Sequence, residues 1–108
     1  MSKGEDKIVD ILNKENIRFV REKTFRELKR RSFLRFDFYL PELGCLIEFN
    51  GRQHYERVAK FQKTEADFKK QQEYDRRKIS YCLANNIPLY IIPYWDLENI
   101  HTAGDLIQ

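Results

Sequence analysis

Asp37 and Glu48 are the side chains of this sequence best suited to chemistry. They lie in the stretch Phe36-Asp37-Phe38-Tyr39-Leu40-Pro41-Glu42-Leu43-Gly44-Cys45-Leu46-Ile47-Glu48-Phe49-Asn50-Gly51-Arg52-Gln53-His54-Tyr55. Apolar residues alternate there around Pro41 and Gly44, which reads as two strands joined by a short turn. If Leu40 pairs with Cys45, Asp37 falls opposite Glu48. Alternating side chains then put both on the face that also carries Tyr39, Leu46 and Asn50. Like charges directly opposite each other on a sheet are destabilising, so an apolar hairpin that keeps both acids points to a cation between them. Mg²⁺ suits such a pair, because it takes oxygen ligands and commonly only one or two protein carboxylates; Mn²⁺ is the alternative ion. The plainer reading is that the hairpin is a sheet edge whose acids face water.

Other polar residues cluster near this pair. Asn50 follows Glu48 by two positions and joins Asp37 and Glu48 as the candidate metal ligands. His54 lies just beyond the strand, where a neutral imidazole can take a proton from an attacking water. Gln53 can orient water or a phosphate oxygen. Asp75 falls on an apolar helical stripe, and a buried carboxylate needs a partner such as His54 or a basic residue. Glu5 lies on the apolar side of its helix, although a Ser-x-x-Glu capping box starting at Ser2 accounts for it fully. Basic residues surround these acids: Lys29, Arg30 and Arg31 before the first strand, Arg52 after the second, and Arg76, Arg77 and Lys78 beside Asp75. Cations around an acidic metal site suit a polyanionic phosphodiester backbone. Each run taken alone is more often just a solvated helix or loop face.

The elements that must position these residues follow from pattern. Ile8, Ile11 and Leu12 form the stripe of a first helix that Asn16 ends. Ile17-Arg18-Phe19-Val20 reads as a short strand and Glu27 to Ser32 as a polar connection. Strands at about 33–40 and 45–50 follow, then an irregular stretch from Gly51 to Lys63. Thr64 with Asp67 marks a helix start, and Phe68, Gln72, Asp75, Ile79, Cys82 and Leu83 recur at helical steps up to Asn85-Asn86. Pro88 to Pro93 reads as a strand buried on both sides, and Asp96–Ile100 and Gly104–Gln108 as short helices. The order predicts an α/β fold, a small mixed β-sheet flanked by helices.

With 108 residues the chain is sized for one domain, 1–108. No apolar run reaches the ~18 residues of a membrane span and the start lacks a signal-peptide core. Cys45 and Cys82 are too few for a disulfide framework and read as reduced core thiols. The expected setting is the cytoplasm, that of the host cell if the chain is phage-encoded. A net charge of +3 is too small to imply nucleic acid by itself.

Phe-Asp-Phe-Tyr-Leu-Pro followed by Ile-Glu-Phe-Asn-Gly-x-Gln-His-Tyr resembles the very-short-patch-repair endonuclease branch of the PD-(D/E)XK nuclease superfamily. More narrowly it is similar to phage-type members, including homing endonuclease catalytic domains with an EDxHD signature. The resemblance spans Glu5, the hairpin, Asp75-Arg76-Arg77-Lys78 and the closing Ile91-Ile92-Pro93-Tyr94-Trp95. It implies a restriction-endonuclease-like core and Mg²⁺-dependent hydrolysis of a DNA phosphodiester. Glu5, Asp37, His54 and Asp75 match the E, D, H and D. Asp37 would be the core metal ligand, His54 the base or water-orienting group, Asp75 its support, and Glu5 a water-mediated ligand. Glu48 matches the (D/E) of the (D/E)-x-K element, while Asn50 stands where its lysine would be. That departure passes the lysine's role to His54, Gln53 or Arg52 and keeps open a DNA-binding module with weak or no cleavage. Homing, mismatch-repair and junction-resolving roles remain open, as do a homodimer and an additional DNA-recognition domain in a longer protein.

Overall fold

The computed structural model describes residues 2–29 and 33–108. They form helix α1 (Lys3–Lys14), strands β1 (Val20–Lys29), β2 (Phe33–Leu40) and β3 (Cys45–Asn50), and a 3₁₀ turn at Arg52–His54. Helix α2 (Glu65–Ala84), strand β4 (Leu89–Pro93), a 3₁₀ segment at Tyr94–Asn99 and helix α3 (Ala103–Leu106) complete the order. The strands make one mixed sheet, β1-β2-β3-β4. β1, β2 and β3 run antiparallel, and β4 lies parallel to β3. A parallel pair needs a crossover, which α2 provides.

Each face of the sheet has its own core. On one side Ile8, Ile11 and Leu12 of α1 pack with Phe38, Leu40, Cys45, Ile47, Ile92 and Leu106. On the other, Cys82 of α2 packs with Leu28, Leu34, Phe36 and Leu46, flanked by Tyr74, Tyr81 and Leu89. The fold is therefore the small mixed sheet between helices that the element order predicts.

Local chemistry sets the ends of the helices. The Ser2 hydroxyl accepts the Glu5 N–H at 3.2 Å and starts α1, and Thr64 with Asp67 closes a full capping box on α2. Both helices stop the same way. Asn16 and Asn86 take positive φ (57° and 55°). The next residues, Ile17 and Ile87, return their N–H groups to Leu12 and Cys82, as in a Schellman turn. Gly44 (φ 63°) closes the β2–β3 turn, where its N–H reaches the Leu40 carbonyl at 2.8 Å.

Three expectations need correction. Ile17–Phe19 is not strand: the first strand begins at Val20 and runs through the segment read as polar connection up to Lys29. It is an edge strand with solvent beside it, so its charged residues need not break it. β4 is the opposite edge, and only Ile92 along it is buried rather than the whole strand. Helix α2 is rotated from the predicted stripe. Ile79 and Leu83 are 40% and 75% exposed, while Tyr74, Lys78 and Tyr81 share the inward side with Cys82.

Candidate active site

Asp37 sits where β1 and β2 both change face. Arg21 lies over the Phe38 ring, and Phe19 packs edge-on to the same ring, on the α1 side. Two residues further along each strand, Lys23 stacks on Phe25 and Phe25 packs on Phe36, on the α2 side. Residues two apart on a regular strand share a face, so both strands rotate at the intervening pair, Glu22 and Asp37. Glu22 has φ 56°, and the register passes from Arg21↔Phe38 to Lys23↔Phe36 without pairing them. The register is the same on both sides of this pair, so the change is a local backbone rotation at a non-glycine residue of positive φ, with no inserted residue.

The hairpin pairs Leu40 with Cys45 as its turn predicts, but the ladder ends at Phe38↔Ile47. Asp37 and Glu48 are thus not ladder partners. The rotation frees the Phe49 N–H, and Asp37 Oδ2 accepts it at 2.8 Å in place of a strand carbonyl.

Glu48 is buried on the α2 side, where Lys78 Nζ donates to its Oε1 at 3.0 Å. His54 comes from the 3₁₀ turn, and its Nδ1 lies 2.9 Å from Asp75 Oδ2 on α2. Gln71, one helical turn before Asp75, donates to Asp75 Oδ1 at 3.2 Å. The buried Gln62 braces the loop carrying His54, accepting the Val58 N–H and donating to the Gln53 carbonyl. Glu5 reaches in from α1, and Arg21 pairs with it at 2.6 Å. Gly4 allows that approach, because a Cβ there would lie 2.3 Å from the Phe49 ring.

Glu5, Asp37, Glu48, Gln53, His54, Gln71 and Lys78 line one open pocket of about 350 Å³. Asp75 stands behind His54. Burial, the largest influence, lifts the Asp37 carboxyl to about 6; the Phe49 N–H lowers it and Glu5 raises it further. Burial pushes Glu48 to about 8, against the pull of Lys78 and with an added push from Asp37. Both acids therefore ionise at a cost that a cation would relieve. Among the described residues, no three His, Cys, Asp or Glu side chains converge closely enough to hold a metal ion by themselves.

No family model matches the chain. Two viral proteins are similar to part of it. The uncharacterized protein 307L of Invertebrate iridescent virus 6 is 39% identical over 61 residues, covering 56% of this chain and 31% of that protein. The uncharacterized protein 094L of Frog virus 3 (isolate Goorha) is 42% identical over 62 residues, covering 56% of this chain and 40% of its own length. The similarity thus spans well under half of either relative.

The other predicted site residues among the described ones fall outside the pocket. Asn50 lies behind Glu48, in a small cleft with Asp75, Lys78 and Ile79, and its side chain bonds the Tyr55 hydroxyl. The Tyr55 ring packs against Trp95 at 4.6 Å, tying the end of β3 to the segment after β4. Arg52 and Arg76 are exposed and paired with Glu56 and Glu73. Arg77 donates to the Lys29 carbonyl at 2.8 Å. Arg30 and Arg31 lie outside the described residues. Lys78, grouped in sequence with the surface cations, belongs to the pocket instead. Gln71 and Gln62 were missed because an isolated glutamine carries no pattern; only Gln71's place one turn before Asp75 hinted at its role. Among the described residues no helix is long and apolar enough to cross a membrane.

Proposed function

We propose that this protein is a metal-dependent DNA endonuclease that hydrolyses phosphodiester bonds, built on the PD-(D/E)XK plan that its hairpin resembles. The observation that carries the reading is the convergence of Glu5, Asp37, Glu48 and His54 on one pocket from α1, β2, β3 and the following turn. Asp37 and Glu48 fit a divalent cation by chemistry: two desolvated oxygen donors, the number Mg²⁺ commonly takes from a protein while keeping waters. Bound there, the ion would supply charge to the phosphoryl oxygen and the leaving oxygen.

The chain's own residues cover the proton. With the Nδ1 proton donated to Asp75, His54 Nε2 is the nitrogen able to accept one. A water oxygen attacks phosphorus, its proton passes to Nε2, the P–O3′ bond breaks, and solvent protonates the departing 3′ oxygen. The products are a 5′-phosphate and a 3′-hydroxyl. Asp75, held on its other oxygen by Gln71, fixes the imidazole tautomer. A phage or mobile-element (homing-type) origin rests on the resemblance of the hairpin alone; the two relatives are proteins of animal viruses.

A second reading, a DNA-binding module of the same fold with weak or no cleavage, is favoured by the Lys78 ammonium already placed on Glu48. A cleavage assay separates the two. Purified protein is incubated with supercoiled, linear, mismatched and branched DNA, with Mg²⁺ or Mn²⁺, and the ends are mapped. The endonuclease reading expects metal-dependent nicks or cuts that Asp37→Ala abolishes. DNA binding without cleavage on any substrate, unchanged by Asp37→Ala and by chelation, would establish the second reading.

A further inference from the structure

The sequence lacks a lysine two residues after Glu48, and Asn50, which stands there, turns away from the pocket toward Tyr55. The pocket still has an ammonium group. Lys78 is the one lysine or arginine among the described residues that line it, and it arrives from the opposite layer of the fold. Resting on the endonuclease reading, we propose that Lys78 is a catalytic residue, a cation delivered from α2 to the scissile phosphate in place of a strand-borne lysine.

Placement carries the argument. Lys78 follows Asp75 by three residues, so one face of α2 presents both to the site. Its side chain is 14% exposed, and Nζ lies 3.0 Å from Glu48 Oε1 and 5.4 Å from the centre of the Phe36 ring. The ammonium is held at the pocket wall, and its charge is felt by Asp37 as well as Glu48. The other acids have partners of their own, Glu5 with Arg21 and Asp75 with His54. Lys78, paired with Glu48 at the pocket wall, is the lining cation able to meet a negative phosphoryl group bound beside that acid. A fixed positive group at that place favours the transition state, in which charge builds on the phosphoryl oxygens. A purely structural role accounts for the place less well, since a buried ion pair stabilises no better than an apolar pair of the same size.

The test uses Lys78→Gln, which keeps a donor for Glu48 but loses the charge, and the double variant Lys78→Gln/Asn50→Lys, which returns a lysine to the strand. Single-turnover cleavage is measured on a substrate that the wild type cuts. DNA binding is measured by anisotropy without divalent ions across a salt series, with thermal unfolding as the check on folding. Lys78→Gln should cut at least about 100-fold more slowly, and the double variant should recover at least about tenfold of that loss. The slope of log affinity against log salt should fall by about one charge in Lys78→Gln. A folded Lys78→Gln that cuts within about threefold of wild type overturns the proposal. If Lys78→Gln does not fold, the double variant decides: folded and active supports it, folded and inert overturns it, and unfolded also overturns it by making the lysine structural. If the wild type cuts no DNA at all, the endonuclease reading fails separately. The salt slope then decides for Lys78, and an unchanged slope overturns its contact with phosphate.

Discussion

His54 Nδ1 and Asp75 Oδ2 lie 2.9 Å apart, joining the turn after β3 to the middle of α2 across 21 residues of chain. The contact turns a loop histidine into an oriented one. Donation of the Nδ1 proton to Asp75 leaves Nε2 as the ring nitrogen able to accept one.

Asp75→Asn removes the charge that supports an imidazolium and weakens the hold on the tautomer. Cleavage should fall by about 10²–10³, within the range of a general base, with the unfolding temperature little changed. His54→Ala should cost as much, and the double variant no more than the larger single loss, because the two act as one unit. Single-turnover rates check this; additive losses would show that the residues work independently.

How much of this was legible depended on distance along the chain. The hairpin was readable because Pro41, Gly44 and the alternation on either side are local signals, and they placed Leu40 opposite Cys45. The rotation at Glu22 and Asp37 was not, since it arises where two strands meet and leaves no mark on either one's alternation. Asp75 was legible as an inward acid wanting a partner, and the partner is His54. Lys78 was hidden for a different reason. Lysine and tyrosine bury their stems while their tips stay polar, so a helix face built from Tyr74, Lys78 and Tyr81 gives no apolar stripe. The visible stripe through Ile79 and Leu83 pointed to the wrong side.

Asp37 and Glu48 should make stability depend on pH in an unusual direction. Their folded values, about 6 and 8, lie above the ordinary 3.8 and 4.5. The folded protein therefore binds these protons more tightly than the unfolded chain. Their contribution is complete below about pH 4 and is lost as pH rises through 6 and then 8. Without metal, folding stability should fall between pH 5 and pH 8.5, by an amount on the order of 5 kcal/mol at about 1.4 kcal/mol per pH unit and group, and the unfolding temperature should fall with it. Glu48→Gln should flatten the upper part of that fall. Mg²⁺ should restore more stability at pH 8.5 than at pH 5. Unfolding temperatures across that range provide the check, and a Glu48→Gln curve parallel to wild type would rule out this origin.

Gln62 is buried in a loop otherwise rich in exposed residues. Its amide holds Val58 N–H and the Gln53 carbonyl at 2.9 and 2.7 Å. Gln62→Ala strands both groups, at a cost of about 1–3 kcal/mol. Because Gln53 is next to His54, the loss should also slow cleavage, and Gln62→Glu, which keeps the acceptor for Val58 but cannot donate to the Gln53 carbonyl, should not restore it. Chemical denaturation and cleavage rates together test the link. Full activity in a destabilised Gln62→Ala would break it.

Gly4 of α1 lies directly against the Phe49 ring of β3. A Cβ on residue 4 would meet three atoms of the Phe49 ring at 2.3–2.5 Å, so Gly4→Ala must displace the ring or lift the start of α1. The cost of such overpacking is about 1–3 kcal/mol, more than the gain from placing alanine in a helix. Either displacement also disturbs the site, since Phe49 N–H holds Asp37 and the next residue of α1 is Glu5. Gly4→Ala should therefore lower both stability and cleavage. Phe49→Leu makes room and should relieve most of the cost, giving a coupling of about 1 kcal/mol or more in a double-mutant cycle. A cycle with no coupling would mean that the ring yields freely, and that the spacing of α1 from β3 is set by Ile8 and Leu12 instead.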